Sequence, residues 1–278
     1  MPRSPLPFAI VLIAALLGAS ATGSAHAARR AAPAIKPPAN IAKAHKIVFC
    51  SDVTYPPEEF YRGSTPVGSD IDIGSAVARL MGVKAEFANT GFDGIIPALL
   101  SRKCDAIISG MNDTPTRRKQ VLFVDYLRVG QSLMVQKGNP KHVKGLASLS
   151  GLTVSVEVGT TNAGFLQTAS KRLAAVGKKA ITIVTFPKDT DAANALKTGK
   201  VDAYFGDSPV VAYYIKTDPS FAFAGQPINP IPVGIALRKD EGALAADLRR
   251  AIRTTYKNGT MHRILGRWNM VAFAMRRR

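Results

Sequence analysis

The chain has 278 residues, of which 46% are hydrophobic and 20% are charged, so it is long and apolar enough for one large domain or two of ordinary size. Its formal net charge is +18, yet lysine and arginine are spread along the chain, with no aromatic-interleaved basic strand and no nucleic-acid-binding motif. We therefore expect a basic solvated surface and no nucleic-acid partner.

The amino terminus predicts an export signal. Arg3 precedes an apolar run at residues 8–17, and small residues around Ala27 provide a cleavage site. A run of about ten apolar residues is too short to cross a bilayer as a helix, which needs about twenty. We expect a signal peptide over residues 1–27, removed near Ala27, and release of the chain into the periplasm without insertion in the membrane.

The segments next to both termini predict little structure. Residues 28–43 are rich in Ala, Pro and Lys/Arg and have no apolar periodicity, which indicates a disordered leader. Residues 273–278 end in three arginines and are expected to form a basic tail.

From residue 46 onward, short apolar runs alternate with helical patterns, which favours parallel strands covered by helices. Ile73, Val77 and Leu80 fall on one face of a helix that Gly82 is expected to end. Thr114 suits the N-cap of a later helix. The predicted strands are 46–51, 85–88 and 104–109, and a further helix is predicted over 93–102.

A second strand and helix series follows and indicates a second lobe. Its predicted strands are 153–158, 181–186 and 202–205, its helices are 162–176 and 191–198, and the final helix of the chain is 244–258. Extended segments at 123–137 and 228–237 predict that the chain crosses between the lobes twice. The fold class is therefore α/β, with lobe 1 formed by residues 44–128 plus 232–272 and lobe 2 by residues 129–231.

Two cysteines are predicted to remain as buried thiols. Cys50 lies near the end of one predicted strand and Cys104 at the start of another. In parallel neighbouring strands this places them about four residues, or roughly 13 Å, apart. A disulfide needs Cα atoms within about 7 Å.

Polar segments follow four of the predicted strands, where ligands bind in open α/β sheets. An arginine fork pairs with a carboxylate, a helix amino terminus adds N–H donors, and an aspartate suits an ammonium group, so the set fits a zwitterion. Two alternatives stay open: Arg117 is an exposed first-turn residue, or Asp207 is only a helix N-cap. The segments are 51–55, 110–113 with Arg117 just beyond, 159–161 and 206–207.

An ordered series of motifs extends through both lobes. The motifs are YPP at 55–57, GSDID at 68–72, FDGIIPAL at 92–99, DAIISGM at 105–111, TPTR at 114–117, GTT at 159–161, GKVDA at 199–203 and Asp207. Over residues 46–268 the series resembles the family 3 periplasmic amino-acid-binding proteins of ABC transporters. The resemblance implies a type II periplasmic-binding-protein fold, in which two α/β lobes joined by two hinge strands close on a ligand, and it implies transporter permease subunits as partners.

The resemblance also implies roles for individual residues. Arg117 would bind the ligand α-carboxylate with the Thr161 amide, and Asp207 would bind the α-ammonium group with Asn112 and the Gly110 carbonyl. Tyr55 and Phe92 would contact or stack on the ligand, whose identity depends on them and on Asp52. The full predicted site is Asp52, Tyr55, Phe92, Ser109, Gly110, Asn112, Arg117, Thr160, Thr161 and Asp207.

Acidic residues mark departures from the family pattern. Glu58 and Glu59 replace the aromatic residue expected after YPP and are expected at the rim of the cleft. Asp52, Glu58 and Asp113 are predicted near its mouth, and together they favour a cationic or strongly hydrogen-bonding ligand.

The rival hypothesis is an exported enzyme resembling cyclohexadienyl (arogenate) dehydratase on the same fold, with Glu157 or Glu58 as general acid. We expect binding without catalysis, by a monomer, with no cofactor. We also expect no metal site, because His45, His142 and His262 lack metal-ligand spacing.

Overall fold

The computed structural model describes residues 34–275, which form alternating strands and helices. Short 3-10 helices are formed by residues Phe92–Gly94, Leu146–Ser148 and Val271–Phe273. The first elements are α1 (Ala39–Ala44), β1 (Lys46–Ser51), β2 (Thr54–Tyr55), β3 (Glu59–Arg62), β4 (Thr65–Val67), α2 (Ser69–Leu80), β5 (Lys84–Asn89), α3 (Ile95–Leu100), β6 (Ala106–Ile107) and α4 (Pro115–Arg118). The remaining elements are β7 (Val121–Gln136), β8 (Thr153–Glu157), α5 (Thr161–Ala175), β9 (Thr182–Phe186), α6 (Asp189–Lys197), β10 (Ala203–Asp207), α7 (Ser208–Thr217), β11 (Phe221–Arg238), α8 (Gly242–Lys257) and α9 (Thr260–Arg267).

One large sheet runs through both halves of the fold in the order β5-β1-β6-β11-β7-β10-β8-β9. Strand β1 is parallel to β5 and β6, and β8 is parallel to β9 and β10. The long strands β7 and β11 pair antiparallel between these two groups. A small antiparallel sheet, β2-β3-β4, lies in the first half. The predicted α/β class and the two crossing segments are therefore confirmed.

Apolar side chains cover both faces of each half of the sheet, as buried parallel strands require. In α2, Ile73 and Val77 are fully buried as the predicted periodicity requires, and Gly82 follows with a φ of +69°. In the first half, α2, α8 and α9 pack on one face and α3 packs on the other. In the second half, α5 packs on one face and α6 and α7 on the other. The rigid layers position the strand ends that carry the site.

The structured chain begins earlier than the sequence predicts. Disorder was predicted for the leader, 28–43, and this prediction is wrong for residues 34–43. Helix α1 begins at Ala39, and both Ile35 and Ile41 are buried in the core of the first half. Ile35 N also donates to Leu80 O at 3.0 Å. Two isolated isoleucines give no periodic signal, yet they bury enough apolar area to fix the segment. The predicted signal peptide lies outside the described residues.

The carboxyl-terminal segment is likewise partly packed. Phe273 and Ala274 pack against the core of the first half, and Ala274 forms a bridge with Leu127. The first residues of the predicted basic tail thus pack with the first half, while 276–278 lie outside the described residues. Trp268 anchors the returning chain by donating to Asp72 Oδ2 at 2.8 Å.

Cys50 and Cys104 form a disulfide, so the prediction of two thiols is wrong. Their Cα atoms are 5.6 Å apart. The β1–β6 register sets Cys50 opposite Ile107, and β6 begins only at Ala106. Because residues 101–105 form a turn and bends rather than strand, Cys104 does not continue along the strand direction as the spacing argument assumed.

No helix within residues 34–275 is long and apolar enough to cross a membrane. Over the same residues, no group of three His, Cys, Asp or Glu side chains has an arrangement that could hold a metal ion.

Candidate functional site

The carboxyl ends of the strands face a cleft between the two halves of the sheet. The cleft has a cavity volume of only about 10 Å³, because side chains of the two halves contact each other directly. Seven of the ten predicted residues line it, whereas Asp52, Ser109 and Arg117 contact the lining residues. The lining consists of Tyr55, Phe92, Gly110, Asn112, Glu157, Thr160, Thr161, Asn162 and Asp207.

Arg117 lies on α4 and bridges the two halves. Thr114 accepts a hydrogen bond from Arg117 N at 3.2 Å, which is the predicted N-cap and fixes the start of this short helix. The guanidinium donates to Asn112 O at 3.0 Å and Gly159 O at 3.2 Å, and it lies 5.2 Å above the ring centre of Phe92. Desolvation lowers the Arg117 pKa to about 10, so the group stays cationic at neutral pH. Arg117 is therefore not a freely solvated first-turn residue.

Asp207 ends β10 and points its carboxyl group into the cleft. Asn162 Nδ2 donates to it at 3.0 Å and Asn112 Nδ2 at 3.3 Å, while Asp207 N donates to the Tyr55 hydroxyl at 3.3 Å. Burial raises the Asp207 pKa to about 6. Asp207 occupies the N-cap position of α7, but its side chain makes no capping hydrogen bond. Its oxygens are thus directed at the cleft, where an ammonium group would meet them.

The amino terminus of α5 forms the wall facing α4. Thr160 is its N-cap and accepts from Ala163 N at 3.2 Å. The Thr161 hydroxyl donates to Asn112 Oδ1 in the other half. Backbone N–H groups of a helix's first turn and the helix dipole both favour a negative ligand group at this position.

Asp52 and Ser109 support the wall beneath the lining residues. Asp52 is 2% exposed and accepts from Thr54 Oγ1 and from Phe92 N, both at 2.7 Å. Burial raises the Asp52 pKa above its ordinary value. Ser109 accepts from Asp52 N at 2.9 Å and donates to Glu59 at 2.8 Å.

Gly159 allows the two halves to come together. Its φ is +77°, and an ideal Cβ there would lie 2.9 Å from the Cα of Asp93 in the other half. Only glycine is compatible with both the positive φ and the short distance between this turn and Asp93.

Glu58, Glu59 and Asp113 do not lie where the sequence predicts. Glu58 and Glu59 are 1% and 0% exposed, so they are not rim carboxylates. Asp113 accepts two hydrogen bonds from Arg118, from Nε at 2.6 Å and Nη2 at 2.5 Å, and does not line the cleft. The small β2-β3-β4 sheet and this local ion pair turn the three side chains inward, and neither feature has a sequence signal of its own.

Two lining residues were not predicted as ligand contacts. Glu157, considered above only as a general acid, is 3% exposed, and burial followed by the charge of Asp189 raises its pKa well above the ordinary value. Asn162 is 2% exposed and orients Asp207. Both flank the GTT motif at 159–161, and this adjacency to a predicted strand end is the signal that would have found them.

Carboxyl groups are concentrated inside the protein. Nine of the 19 acidic residues are buried, whereas Arg238 is the one buried lysine or arginine among residues 34–275. The interior of the protein is therefore acidic despite the basic composition of the chain. The buried acids are Asp52, Glu58, Glu59, Asp70, Asp113, Glu157, Asp189, Asp207 and Asp247.

The arrangement is suited to holding a zwitterion between two closing halves: a cation and a helix amino terminus face an aspartate across one cleft. A two-lobed α/β fold with such a cleft at its strand ends defines a solute-binding protein of the type II periplasmic-binding-protein class. The chain belongs to the bacterial extracellular solute-binding proteins, family 3, whose sequence profile matches residues 47–271.

Individual relatives of this chain are also amino-acid-binding proteins by name. The ABC transporter arginine-binding protein 1 of Escherichia coli (strain K12) is 33% identical over 231 residues, which are 81% of this chain and 91% of that protein. An ancestral arginine-binding protein solved with arginine is 35% identical with a TM-score of 0.75, covering 81% of this chain and 98% of that one.

A third relative bears on the dehydratase hypothesis. The ancestral amino-acid-binding protein AncCDT-1, a precursor of cyclohexadienyl dehydratase, is 33% identical with a TM-score of 0.74, covering 82% of this chain and 97% of that one. It is itself described as a binding protein, as are the other two. The relatives thus favour a solute-binding protein over an enzyme.

Proposed function

We propose that this protein captures an amino acid with a cationic side chain, arginine foremost, and delivers it to an ABC importer. The observation that carries the proposal is a group of three buried carboxyls at and behind the cleft wall: Glu157, which lines the cleft, with Asp189 from the same half and Asp52 from the first half behind the lining residues.

These three carboxyls form no ion pair with a cationic side chain among residues 34–275. Asp52 accepts hydrogen bonds from Thr54 and from Phe92 N, and Asp189 accepts from the hydroxyls of Tyr204 and Tyr214. Burial raises the pKa of each, that of Asp189 to about 7, and Asp52 contributes to the shifts of Glu157 and Asp189. Glu157 Oε1 has no hydrogen-bond partner among the described residues. Thr54 connects the two halves here, since it donates to Asp52 and accepts from Asp189 N at 3.3 Å. A cationic group between them would relieve their repulsion as the halves close.

The zwitterionic part of the ligand is assigned to the predicted residues. Arg117 and the Thr161 amide would hold the α-carboxylate, and Asp207 would hold the α-ammonium group with Asn112 and the Gly110 carbonyl. Tyr55 and Phe92 would contact the ligand side chain. Ser109 supports Asp52, and Thr160 caps α5. The names of the arginine-binding relatives support this proposal.

Closure of two lobes would present the loaded protein to the permease subunits. We place the lobe boundaries at 128/129 and 231/232; the β7–β11 register pairs Arg128 with Pro232 and Val129 with Ile231, which supports boundaries directly opposite each other. Because residues 34–43 pack on the first half, lobe 1 would begin at residue 34. The protein would act as a periplasmic monomer after cleavage near Ala27.

Calorimetry with arginine, lysine, ornithine, histidine and glutamine tests this function. Arginine is expected to bind at least about tenfold more tightly than glutamine, because a buried carboxylate group discriminates a cation from an amide. The double variant Asp52→Asn with Glu157→Gln should lose most of this preference. Asp191→Asn, at an exposed carboxyl, is the matched control and should keep it. Equal or tighter binding of glutamine by the natural protein would reject the assignment of a cationic side chain.

A further inference from the structure

The surface of this protein is more basic than its composition suggests. With nine of 19 acidic residues buried and only Arg238 buried among the lysines and arginines of residues 34–275, the positive charge is almost all on the outside. A surface of this kind attracts polyanions over a Debye length and favours association with anionic partners.

One concave part of this surface collects several cations. A cavity of about 500 Å³ lies between α4, the start of β7 and α8, and shares no lining residue with the amino-acid cleft. Its cationic walls are Arg118, Lys239, Arg249 and Arg253. A basic hollow of this size accommodates a phosphate group, and arginine is the side chain that pairs best with phosphate oxygens.

Arg118, one of the four cations of this basic hollow, is already paired with Asp113. Lys239, Arg249 and Arg253 form no ion pair with a carboxylate within the described part of the chain. Lys239 and Arg249 each donate to one backbone carbonyl, at 2.5 and 3.5 Å. The one carboxyl lining the hollow is Asp125, which lies near Arg118 and Arg249. The hollow therefore keeps a net positive charge.

The positive charge continues past the hollow along α8. Arg249, Arg253 and Lys257 are exposed and spaced four residues apart, so they share one helix face. A free phosphate ion would use the hollow alone, whereas a row of cations is suited to a surface that carries many phosphates.

We propose that the basic hollow and the α8 row bind the phosphate groups of anionic membrane lipids and hold the protein on the membrane surface while the cleft stays accessible. No residue that lines the cleft takes part, so this inference is independent of the amino-acid ligand. The expected binding is electrostatic and weakens as salt concentration rises.

Co-sedimentation with phosphatidylcholine vesicles, with and without phosphatidylglycerol, tests the proposal. The protein should bind only the vesicles that contain phosphatidylglycerol. Arg249→Ala with Arg253→Ala should weaken this binding about 25-fold, since each cation near an anionic surface contributes about 1 kcal/mol. The matched double variant Lys171→Ala with Lys216→Ala, which removes the same charge from the second half, should change it less than about threefold. Arginine calorimetry and thermal unfolding show whether all variants remain folded and competent.

Several outcomes would overturn the proposal. Equal losses in the two double variants would mean that net charge alone attracts the protein. Absence of binding to phosphatidylglycerol vesicles, combined with Arg249-dependent binding of inorganic phosphate by NMR titration, would assign the hollow to a free anion. Binding to polyglutamate but not to vesicles would assign it to an acidic protein partner.

Discussion

Arg117 is the residue whose loss should cost the most binding free energy. Replacing it with alanine removes the proposed carboxylate partner and leaves the ligand carboxylate buried without a cation, which costs about 2–5 kcal/mol or more. We expect Arg117→Ala to lower arginine affinity at least about 30-fold in calorimetry. Arg118→Ala, at the next residue of α4, should keep the affinity. Retention of affinity in Arg117→Ala would contradict the role assigned to Arg117.

Asp207 makes ligand affinity depend on pH. Its pKa is about 6 in the structure, and only the ionised carboxylate attracts an ammonium group. We therefore expect affinity to fall as pH decreases below about 6, by up to about tenfold per pH unit from this group. Calorimetry at several pH values checks this slope. Asp207→Asn should bind weakly with a shallower slope, and an unchanged affinity of the natural protein between about pH 5 and 8 would contradict the prediction.

For individual residues, the sequence identified those that follow the ends of strands, because the order of the strands and of the motifs places these residues at one edge of the sheet. Arg117, Asp207 and Thr161 were found in this way. The rim position predicted for Glu58 and Glu59 was wrong, because their burial depends on how β2 and β3 fold against the first half. The position of Glu157 in the cleft lining was missed as well, although its place at the end of β8 beside the GTT motif was a usable signal.

Among the elements, the disulfide ties β1 to the bend that precedes β6. Closing a loop with a sequence separation of 54 restricts the unfolded chain and stabilises the fold by about 4 kcal/mol in the chain-entropy treatment. We expect Cys50→Ala with Cys104→Ala to lower the free energy of unfolding in urea by about 2–4 kcal/mol. A reduced natural protein should show a similar loss. An unchanged unfolding midpoint would show that the bond contributes nothing to stability.

The turn before α5 controls how closely the halves approach. Gly159→Ala adds a methyl group facing Asp93 and disfavours the positive φ, so the closed arrangement should lose about 1–3 kcal/mol. We expect arginine affinity to fall roughly tenfold, with a larger radius of gyration by X-ray scattering when arginine is present. Gly164→Ala in α5, where a Cβ meets no atom within 4 Å, is the control. Equal affinities for both variants would disprove the close-approach argument.

The sequence predicted most elements to within a few residues, since their apolar periodicity is strong. It failed where tertiary contacts decide the outcome. The predicted strand 104–109 shortens to β6 because its start bends toward Cys50. The region after α8 continues as α9 beyond Gly259, whose φ of +75° separates the two helices. Helix α1 forms because Ile35 and Ile41 meet a core that only the folded chain supplies.

For the whole molecule, the buried carboxyls predict an unusual dependence of stability on pH. The pKa values of Asp207 and Asp189 are raised to about 6 and about 7, so between roughly pH 4 and 7 the folded state binds more protons than the unfolded state. Stability without ligand should therefore decrease as pH rises through this window. Urea unfolding at about pH 5 and about pH 8 measures the difference, and Asp189→Asn should reduce it. Greater stability at about pH 8 would contradict the prediction.

The paired strands β7 and β11 also determine how this molecule can move. They form one ladder through both halves, but its register shifts between Ala224 and Ile228 and again between Ile228 and Ile231, next to the proposed lobe boundaries. Backbone bonds that are already missing need not be broken when the halves rotate, and bulged strands bend more readily than regular ones. We therefore expect bending of the ladder to be confined to these few residues, while the layers on either side keep their internal packing as the halves rotate.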